Sequence, residues 1–305
     1  MTDNVPSSVA DASPQNWVDT RAPAFARPYL RLARADRPIG TWLLLLPCWW
    51  SVALATDDWR HAWLLALFAL GAVVMRGAGC TYNDIVDRDI DAAVARTRSR
   101  PLPSGAVSLR AAWAFLAVQC LIGLAVLLAL NAYAIWLGFA SLALVAIYPF
   151  MKRIADWPQI VLGLAFNWGA LMGWAAVHGA LSAAPLALYA GAVFWTIGYD
   201  TIYAHQDRAD DAIVGVRSSA LRLGPATYKW MWVFYGAALA GFAAAGALAG
   251  LGFLFWIGLG VGAAHLVRQI RRLDIDDPSL CLQLFRGNRD FGFILFAAIV
   301  AGQFV

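Results

Sequence analysis

Long apolar runs separated by short polar connections make up most of the chain from about residue 38 onwards. A bilayer crossing needs about 20 mostly apolar residues. The runs predict helices near 38–56, 61–83, 111–130, 132–150, 157–177, 184–205, 228–248, 250–267 and 290–305. We therefore expect an all-α integral membrane protein with about nine transmembrane helices. Eight helices is the alternative, because the last run is short.

The composition agrees with a lipid environment. The chain of 305 residues is 61% hydrophobic and 14% charged, whereas soluble proteins carry about 25% charged residues. Residues 1–28 are polar, lack the apolar core of a secretory signal, and contain aspartates that argue against a mitochondrial transit peptide. We expect a disordered cytoplasmic tail over 1–28 and a single transmembrane domain over 29–305.

The basic residues segregate to one side of the predicted helices. If the helices alternate in direction, only Arg60 of the 23 Lys and Arg residues falls on the opposite side. Positive charge marks cytoplasmic loops, so we expect the N-terminus and every large loop to be cytoplasmic. With a tail that lacks transit character, this predicts a multi-pass protein of a bacterial cell inner membrane, with its active site facing the cytoplasm.

A first group of acidic residues follows the second predicted helix, and all 19 acidic residues of the chain are Asp. Asn83, Asp87 and Asp91 have the spacing i, i+4, i+8, which places them on one helix face, whereas Asp84 and Asp89 point elsewhere. Stacked oxygen side chains repel one another unless a cation lies among them. Carboxylate and amide oxygens suit Mg²⁺, which binds through a few carboxylates and the phosphates of a substrate.

A second acidic group follows the sixth predicted helix. Asp200, Asp207 and Asp211 share one helix face, with Tyr203 between them. The string Asp-Arg-x-x-Asp occurs at both 87–91 and 207–211, which favours an internal repeat whose halves bring their acids together. The alternative is that these acids only balance nearby arginines in solvated loops, but acids at membrane-proximal helix ends are costly to desolvate and usually serve a site.

Two metal-binding acidic groups would suit a diphosphate, with basic side chains neutralising its remaining charge. Several basic residues have suitable positions. Arg76 lies seven residues before Asn83, on the same helix face and deeper in the membrane. The other candidates are Arg37 before the first helix, Lys152 and Arg153 at the end of the fourth, and Arg96, Arg98 and Arg100 in a possible lid.

Four motifs in this order resemble the UbiA-type membrane prenyltransferases. They are Asn-Asp-x-x-Asp-x-x-x-Asp at 83–91, Arg-Pro-Leu-Pro-Ser-Gly at 100–105, Tyr-Pro-Phe-Met-Lys-Arg at 148–153 and Tyr-Asp-Thr-x-Tyr-Ala-x-x-Asp-Arg-x-Asp-Asp at 199–211. Within the family, they are most similar to the branch that acts on 4-hydroxybenzoate. The resemblance implies nine helices around a central cavity. It also implies metal–diphosphate motifs formed by Asn83, Asp87 and Asp91 and by Asp207 and Asp211.

The activity that the resemblance implies is Mg²⁺-dependent transfer of a polyprenyl group from polyprenyl diphosphate to the ring carbon ortho to the hydroxyl of 4-hydroxybenzoate, a step of ubiquinone biosynthesis. Membrane lipid is the expected surrounding, with no nucleic acid and no protein partner. The expected catalytic residues are Asp87, Asp91, Asp207, Asp211 and Arg153, and the expected substrate-binding residues are Arg37, Arg76, Lys152, Arg153, Asp200 and Tyr203.

Within those roles, Tyr203 would stabilise an allylic cation and Arg37 would bind the carboxylate of the aromatic acid. Two other functions remain open. The first is prenyl transfer to another aromatic acceptor within the same family. The second is a cation-coupled transporter, whose acids should lie near the bilayer centre rather than at helix ends.

Overall fold

The computed structural model of the protein describes residues 15–93, 97–208 and 217–304, apart from the side chains at positions 59, 152, 153 and 207. Within these ranges the chain forms helices and connecting turns without a β-strand, so the prediction of an all-α protein is confirmed. The helices are α1 (Trp17–Arg21), α2 (Arg27–Leu32), α3 (Ile39–Ala55), α4 (Trp63–Val86), α5 (Arg88–Ala93), α6 (Leu109–Leu128), α7 (Ala132–Ile154), α8 (Pro158–Phe166), α9 (Gly169–His178), α10 (Ala183–Ala204), α11 (Ser219–Leu223), α12 (Thr227–Leu248), α13 (Phe253–Arg272) and α14 (Pro278–Gly302).

Among the described residues, six helical segments are long and apolar enough to cross a membrane. They are Trp63–Val86, Leu109–Leu128, Ala132–Met151, Pro158–His178, Ser219–Leu248 and Phe253–Arg272. The shorter helix Ile39–Ala55 is also apolar. By their length and composition these helices are candidates for crossing a membrane, whereas the count of nine crossings stays a prediction.

The last helix begins earlier than its hydropathy indicates. The apolar run predicts a helix from about residue 290, but α14 begins at Pro278. The carboxylate of Asp277 accepts hydrogen bonds from the backbone N–H groups of Ser279 and Leu280, and Pro278 occupies the first helical position. Both are strong helix-start signals. The polar first turns of α14 are therefore helical although they lie outside the apolar run.

The fifth predicted crossing contains a break. The helix expected over 157–177 is divided into α8 and α9 at Asn167 and Trp168. The side-chain amide of Asn167 donates to the Gly163 carbonyl at 2.8 Å and to the Thr196 hydroxyl at 2.7 Å, and Tyr189 donates to the Leu164 carbonyl. Side-chain hydrogen bonds of this kind make a helix break tolerable at membrane depth.

The chain divides into two compact units. One comprises Met1–Thr41 and Leu70–Leu127, and the other comprises Trp42–Ala69 and Leu128–Val305. In the first unit, an apolar core is formed by Leu32, Leu102, Val107 and Ala112. This core packs the loop between α5 and α6 against the end of α2. The prediction of one transmembrane domain over 29–305 stays a prediction.

A buried polar network connects four helices within the second unit. The indole of Trp195 on α10 donates to Asn288 on α14 at 2.8 Å, and the amide of Asn288 donates to Gln269 on α13 at 3.3 Å. The hydroxyl of Tyr235 on α12 donates to the same Gln269 oxygen at 3.0 Å. Hydrogen bonds between helices in an apolar environment fix their packing, because an unsatisfied polar group there is costly.

Replacing Asn288 with Leu should lower the free energy of unfolding by about 1–3 kcal/mol, because the buried indole N–H of Trp195 would lose its acceptor. The measurement is the thermal unfolding midpoint of the purified protein in detergent. The matched control is Arg289→Gln, which removes only the exposed contact between Arg289 and Asp290 and should change the midpoint little. Equal midpoints for Asn288→Leu and wild type would contradict the prediction.

Candidate active site

The first acidic motif lies where α4 passes into α5. The backbone N–H of Asp87 donates to the Asn83 carbonyl at 2.9 Å, and the N–H of Asp91 donates to the Asp87 carbonyl at 2.8 Å. These helical hydrogen bonds continue across the boundary between α4 and α5. They keep the three side chains on one helix face. Asp87 is completely buried, and Asp91 is 5% exposed.

The neighbouring aspartates have other surroundings, as the spacing predicts. Asp84 is fully buried and accepts hydrogen bonds from the guanidinium groups of Arg34 at 2.6 Å and Arg100 at 3.3 Å. Asp89 is exposed and contacts only its neighbour Arg88 among the described residues, at 3.0 Å. Asp84 is therefore a buried structural carboxylate, whereas Asp89 lies in solvent.

The buried carboxylate of Asp91 is influenced by two other carboxylates and by one guanidinium group. Burial raises the pKa of Asp91, and the carboxylates of Asp84 and Asp87 raise it further, whereas the guanidinium of Arg100 at 2.7 Å opposes this effect. The net pKa of Asp91 remains above its ordinary value. A cation beside the motif would therefore stabilise the charged form of this carboxylate.

Arg76 and Arg37, two of the expected substrate-binding residues, lie in the first unit. The guanidinium of Arg76 on α4 passes over Gly40 in the first turn of α3, where a Cβ atom would lie 2.5 Å from its Nε. Arg37 pairs with the buried carboxylate of Asp36 at 3.2 Å.

The second acidic motif belongs to the second unit and is described in part. Asp200 and Tyr203 lie on α10, and the ring of Tyr203 is 4.6 Å from that of Phe285 between centroids. The backbone of Asp207 is in a 3₁₀ turn after α10, but its side chain lies outside the described residues, as does all of Asp211. Whether the two motifs approach each other stays a prediction.

The end of α7 contains Lys152 and Arg153, directly before its last residue Ile154. The side chains of Lys152 and Arg153 also lie outside the described residues. Of the three arginines in the possible lid, Arg96 lies outside the described residues and Arg100 contacts Asp84 and Asp91. Spacing alone did not indicate these contacts of Arg100.

Histidine 205, which follows α10, is a buried residue to which sequence reasoning assigned no role. Its Nε2 lies 2.9 Å from the hydroxyl of Thr227, the first residue of α12. Burial lowers the pKa of His205 to about 4, so the imidazole is neutral at pH 7. It connects the segment that carries the second motif to α12 without adding charge.

The described residues contain no group of three or more His, Cys, Asp or Glu side chains that could hold a metal ion by themselves. Magnesium does not require such a group, because it usually binds through one or two carboxylates, water and substrate phosphates. The oxygens of Asn83, Asp87 and Asp91 on one face fit this mode of binding. The donor set therefore suits a metal that arrives with a phosphorylated substrate.

Long apolar helices, buried aspartates on one helix face and arginines nearby are features that suit a membrane protein acting on a metal-complexed anion. A family model described as "UbiA prenyltransferase family" matches residues 44–298. The chain therefore belongs to the UbiA prenyltransferase family, and the family resemblance of its motifs is confirmed.

Relatives from insects, mammals and a plant, at 46–53% identity, are named "4-hydroxybenzoate polyprenyltransferase, mitochondrial". The relative from Aedes aegypti is 52% identical over 90% of this chain and 63% of its own length. The chain thus spans a little under two thirds of that relative.

Solved structures share the fold. A UbiA homolog from Aeropyrum pernix K1 in its apo form has 29% identity and a TM-score of 0.71, over 86% of this chain and 98% of the other. A UbiA homolog from Archaeoglobus fulgidus bound to GPP and Mg²⁺ has 21% identity and a TM-score of 0.63, over 90% of this chain and 98% of the other.

The prediction of a bacterial cell inner membrane is wrong. The relatives named above come from eukaryotes and are named as mitochondrial proteins, which contradicts that prediction. The error has a physical cause. Segregated basic loops show which segments share a side of a membrane, but they do not distinguish one membrane from another. The polar character of residues 1–28 does not identify the membrane either.

Proposed function

We propose that this chain transfers a polyprenyl group from polyprenyl diphosphate to the ring carbon ortho to the hydroxyl of 4-hydroxybenzoate and releases diphosphate. The UbiA family assignment establishes the prenyltransferase class. The relatives at 46–53% identity carry the name of this reaction, in agreement with the sequence prediction. The observation that carries the proposal is that Asn83, Asp87 and Asp91, whose side chains have oxygen atoms suited to binding magnesium, share one helix face. The carboxylates of Asp87 and Asp91 are buried.

The residue roles extend the sequence prediction. Magnesium would be held by Asn83, Asp87, Asp91, Asp207 and Asp211. Lys152, Arg153 and Arg76 would bind the diphosphate, and Arg37 would bind the carboxylate of the aromatic acid. Tyr203 would face the allylic group, and Asp200 would orient the second motif. The related Archaeoglobus fulgidus protein, solved with GPP and Mg²⁺, supports a metal-complexed prenyl diphosphate as the donor.

The chemistry is an electrophilic aromatic substitution. The bond between the allylic carbon and the diphosphate oxygen breaks, and the electron pair leaves with the diphosphate. The ring carbon ortho to the hydroxyl attacks the allylic cation, forms the new C–C bond and then loses its proton. Bound magnesium would supply positive charge to the departing diphosphate. The arginines and lysine add fixed positive charge for the same leaving group.

The transmembrane arrangement that fits this function has nine crossings, with the N-terminus and the large basic loops on one side of the membrane. The six long apolar segments and the shorter α3 would supply seven of these crossings. The others would be α10 and α14, which are 22 and 25 residues long. α10 contains Asp200 near its end, and α14 contains Arg286, Arg289 and Asp290 in its first half. Helices of this length can span about 30 Å of hydrocarbon.

Prenyl transfer to another aromatic acceptor within the same family is the main alternative. The transporter alternative has little support, since the acids of the first motif lie at the end of α4 and in α5 rather than mid-helix.

The test is prenyl transfer by the purified protein in detergent or vesicles, with a long-chain polyprenyl diphosphate and a panel of labelled aromatic acceptors. We expect a labelled lipid product with 4-hydroxybenzoate that disappears with EDTA and returns on addition of Mg²⁺. Product with another acceptor only would overturn the acceptor and keep the family chemistry. Product that survives EDTA would overturn the role of magnesium.

A further inference from the structure

The end of α2 adopts a turn that usually requires glycine, yet it contains an arginine. The N–H of Ala35 donates to the Leu30 carbonyl at 2.9 Å, and the N–H of Arg34 donates to the Arg31 carbonyl at 3.1 Å. This pair of hydrogen bonds is the Schellman motif, whose left-handed position favours glycine. Arg34 occupies it with a φ of +59°. A side chain kept at a strained position is usually needed for another reason.

That reason is a buried ion pair. Arg34 is 8% exposed, and its Nη2 donates to Oδ1 of Asp84 at 2.6 Å, while Nη1 donates to the Arg31 carbonyl at 3.0 Å. Burial alone would lower the pKa of Arg34, but the carboxylate of Asp84 raises it above its ordinary value. The side chain is therefore held as a cation against a carboxylate 50 residues away in sequence.

The same oxygen of Asp84 also contacts the loop after α5. Nη1 of Arg100 lies 3.3 Å from Oδ1 of Asp84 and 2.7 Å from Oδ2 of Asp91. The hydroxyl of Thr97 donates to the Asp91 carbonyl at 2.9 Å, so this loop holds both the side chain and the backbone of Asp91. Two carboxylates and two guanidinium groups thus form one chain, from Arg34 through Asp84 and Arg100 to Asp91.

We propose that Asp84 is a positioning residue for prenyl transfer: paired with Arg34, it holds Arg100 against Asp91 and so fixes the direction in which Asp91 presents its carboxylate. The proposal rests on the proposed function, in which Asp91 binds the metal–diphosphate complex. Asp84 acts through Arg34 and Arg100 and does not touch substrate.

The alternative role for Asp84 is direct binding of the metal. Its second oxygen, Oδ2, is buried and has no hydrogen-bond partner among the described residues. The two roles differ in their dependence on Arg34. A positioning residue loses its effect when Arg34 is removed, whereas a metal ligand keeps its own contribution.

The experiment compares the full-length wild type with Arg34→Gly, Arg34→Lys, Asp84→Asn and the double variant Arg34→Gly/Asp84→Asn. Glycine suits the left-handed turn, so Arg34→Gly removes the ion pair without straining the backbone. The double variant removes both charges and leaves no uncompensated buried carboxylate. The measurements are kcat, KM for each substrate, the Mg²⁺ concentration at half-maximal rate and the thermal unfolding midpoint.

We expect Arg34→Gly and Asp84→Asn each to lower kcat about tenfold and to raise the half-saturating Mg²⁺ concentration. The double variant should lose no more than the worse single variant, and Arg34→Lys should recover part of the rate. An activity of Arg34→Gly equal to that of wild type would overturn the proposal. So would losses that multiply in the double variant, which would indicate that Asp84 binds the metal itself.

The proposed function is tested separately by the wild type in the same assay. If wild type transfers no prenyl group, the proposed function fails. If wild type is active and the variants match it, only the positioning role fails.

Discussion

Replacing Asp87 with Asn should reduce kcat for prenyl transfer by at least about 100-fold, because one negative charge disappears from the proposed metal-binding face that Asp87 forms with Asn83 and Asp91. Asp87 is fully buried in the continuous helical turn between α4 and α5. Asparagine has nearly the same size and keeps one side-chain oxygen, so the variant tests the charge rather than the packing. The assay is magnesium-dependent transfer from polyprenyl diphosphate.

The matched control for Asp87→Asn is Asp89→Asn, two residues further along the same segment. The side chain of Asp89 is 87% exposed and contacts Arg88 only at the surface, and surface ion pairs contribute about 0–1 kcal/mol. Asp89→Asn should therefore retain activity within about twofold. Equal losses in both variants would show that the segment tolerates no change of charge, and the specific role of Asp87 would be rejected.

Replacing Gly40 with Ala should lower kcat/KM by about 10- to 100-fold, because misplacing a substrate-binding group by about 1 Å has effects of this size. A Cβ atom at this position would lie 2.5 Å from Nε and 2.6 Å from Nη2 of Arg76. The long side chain of Arg76 can move aside, so the fold should survive while the guanidinium leaves its position. A thermal unfolding midpoint close to wild type would show this.

Three further variants distinguish the displacement of Arg76 from a general effect of introducing alanine. Gly236→Ala on α12 places its Cβ where no described atom lies within 4 Å, and it should leave activity unchanged. Arg76→Gln should lower kcat/KM by a similar factor, and adding Gly40→Ala to it should cost little more. A full additional loss in that double variant would mean that Gly40 acts independently of Arg76.

Much of the fold was predictable because it depends on local sequence. A run of apolar residues long enough to cross a bilayer is visible without knowledge of its neighbours. The long helices match the predicted runs to within a few residues, apart from the start of α14 and the break in the fifth run, whereas the short helices α1, α2, α5 and α11 lie outside these runs. The shared face of Asn83, Asp87 and Asp91 was predictable for the same reason. It follows from 3.6 residues per turn once the segment is helical.

The partners of Asp84 were not predictable from the sequence. Its spacing excluded it from the metal-binding face, but Arg34 is distant in sequence and Arg100 lies in a loop without periodicity. The left-handed conformation of Arg34 was not predictable either, because turns of this type are usually recognised in a sequence by a glycine. The contact between Gly40 and Arg76 was also not predictable, because it depends on how two helices approach each other and produces no periodic pattern in the sequence.

The sequence by itself determined that the protein is helical and membrane-embedded, that its acids form two motifs, and that these motifs are those of the UbiA family. The tertiary structure decided which acids have partners, where a spanning helix breaks at Asn167, and how Arg100 reaches Asp91. The physical reason is the range of each interaction. Hydropathy and helical periodicity act over a few residues, whereas buried ion pairs and close helix contacts join residues that only the folded chain brings together.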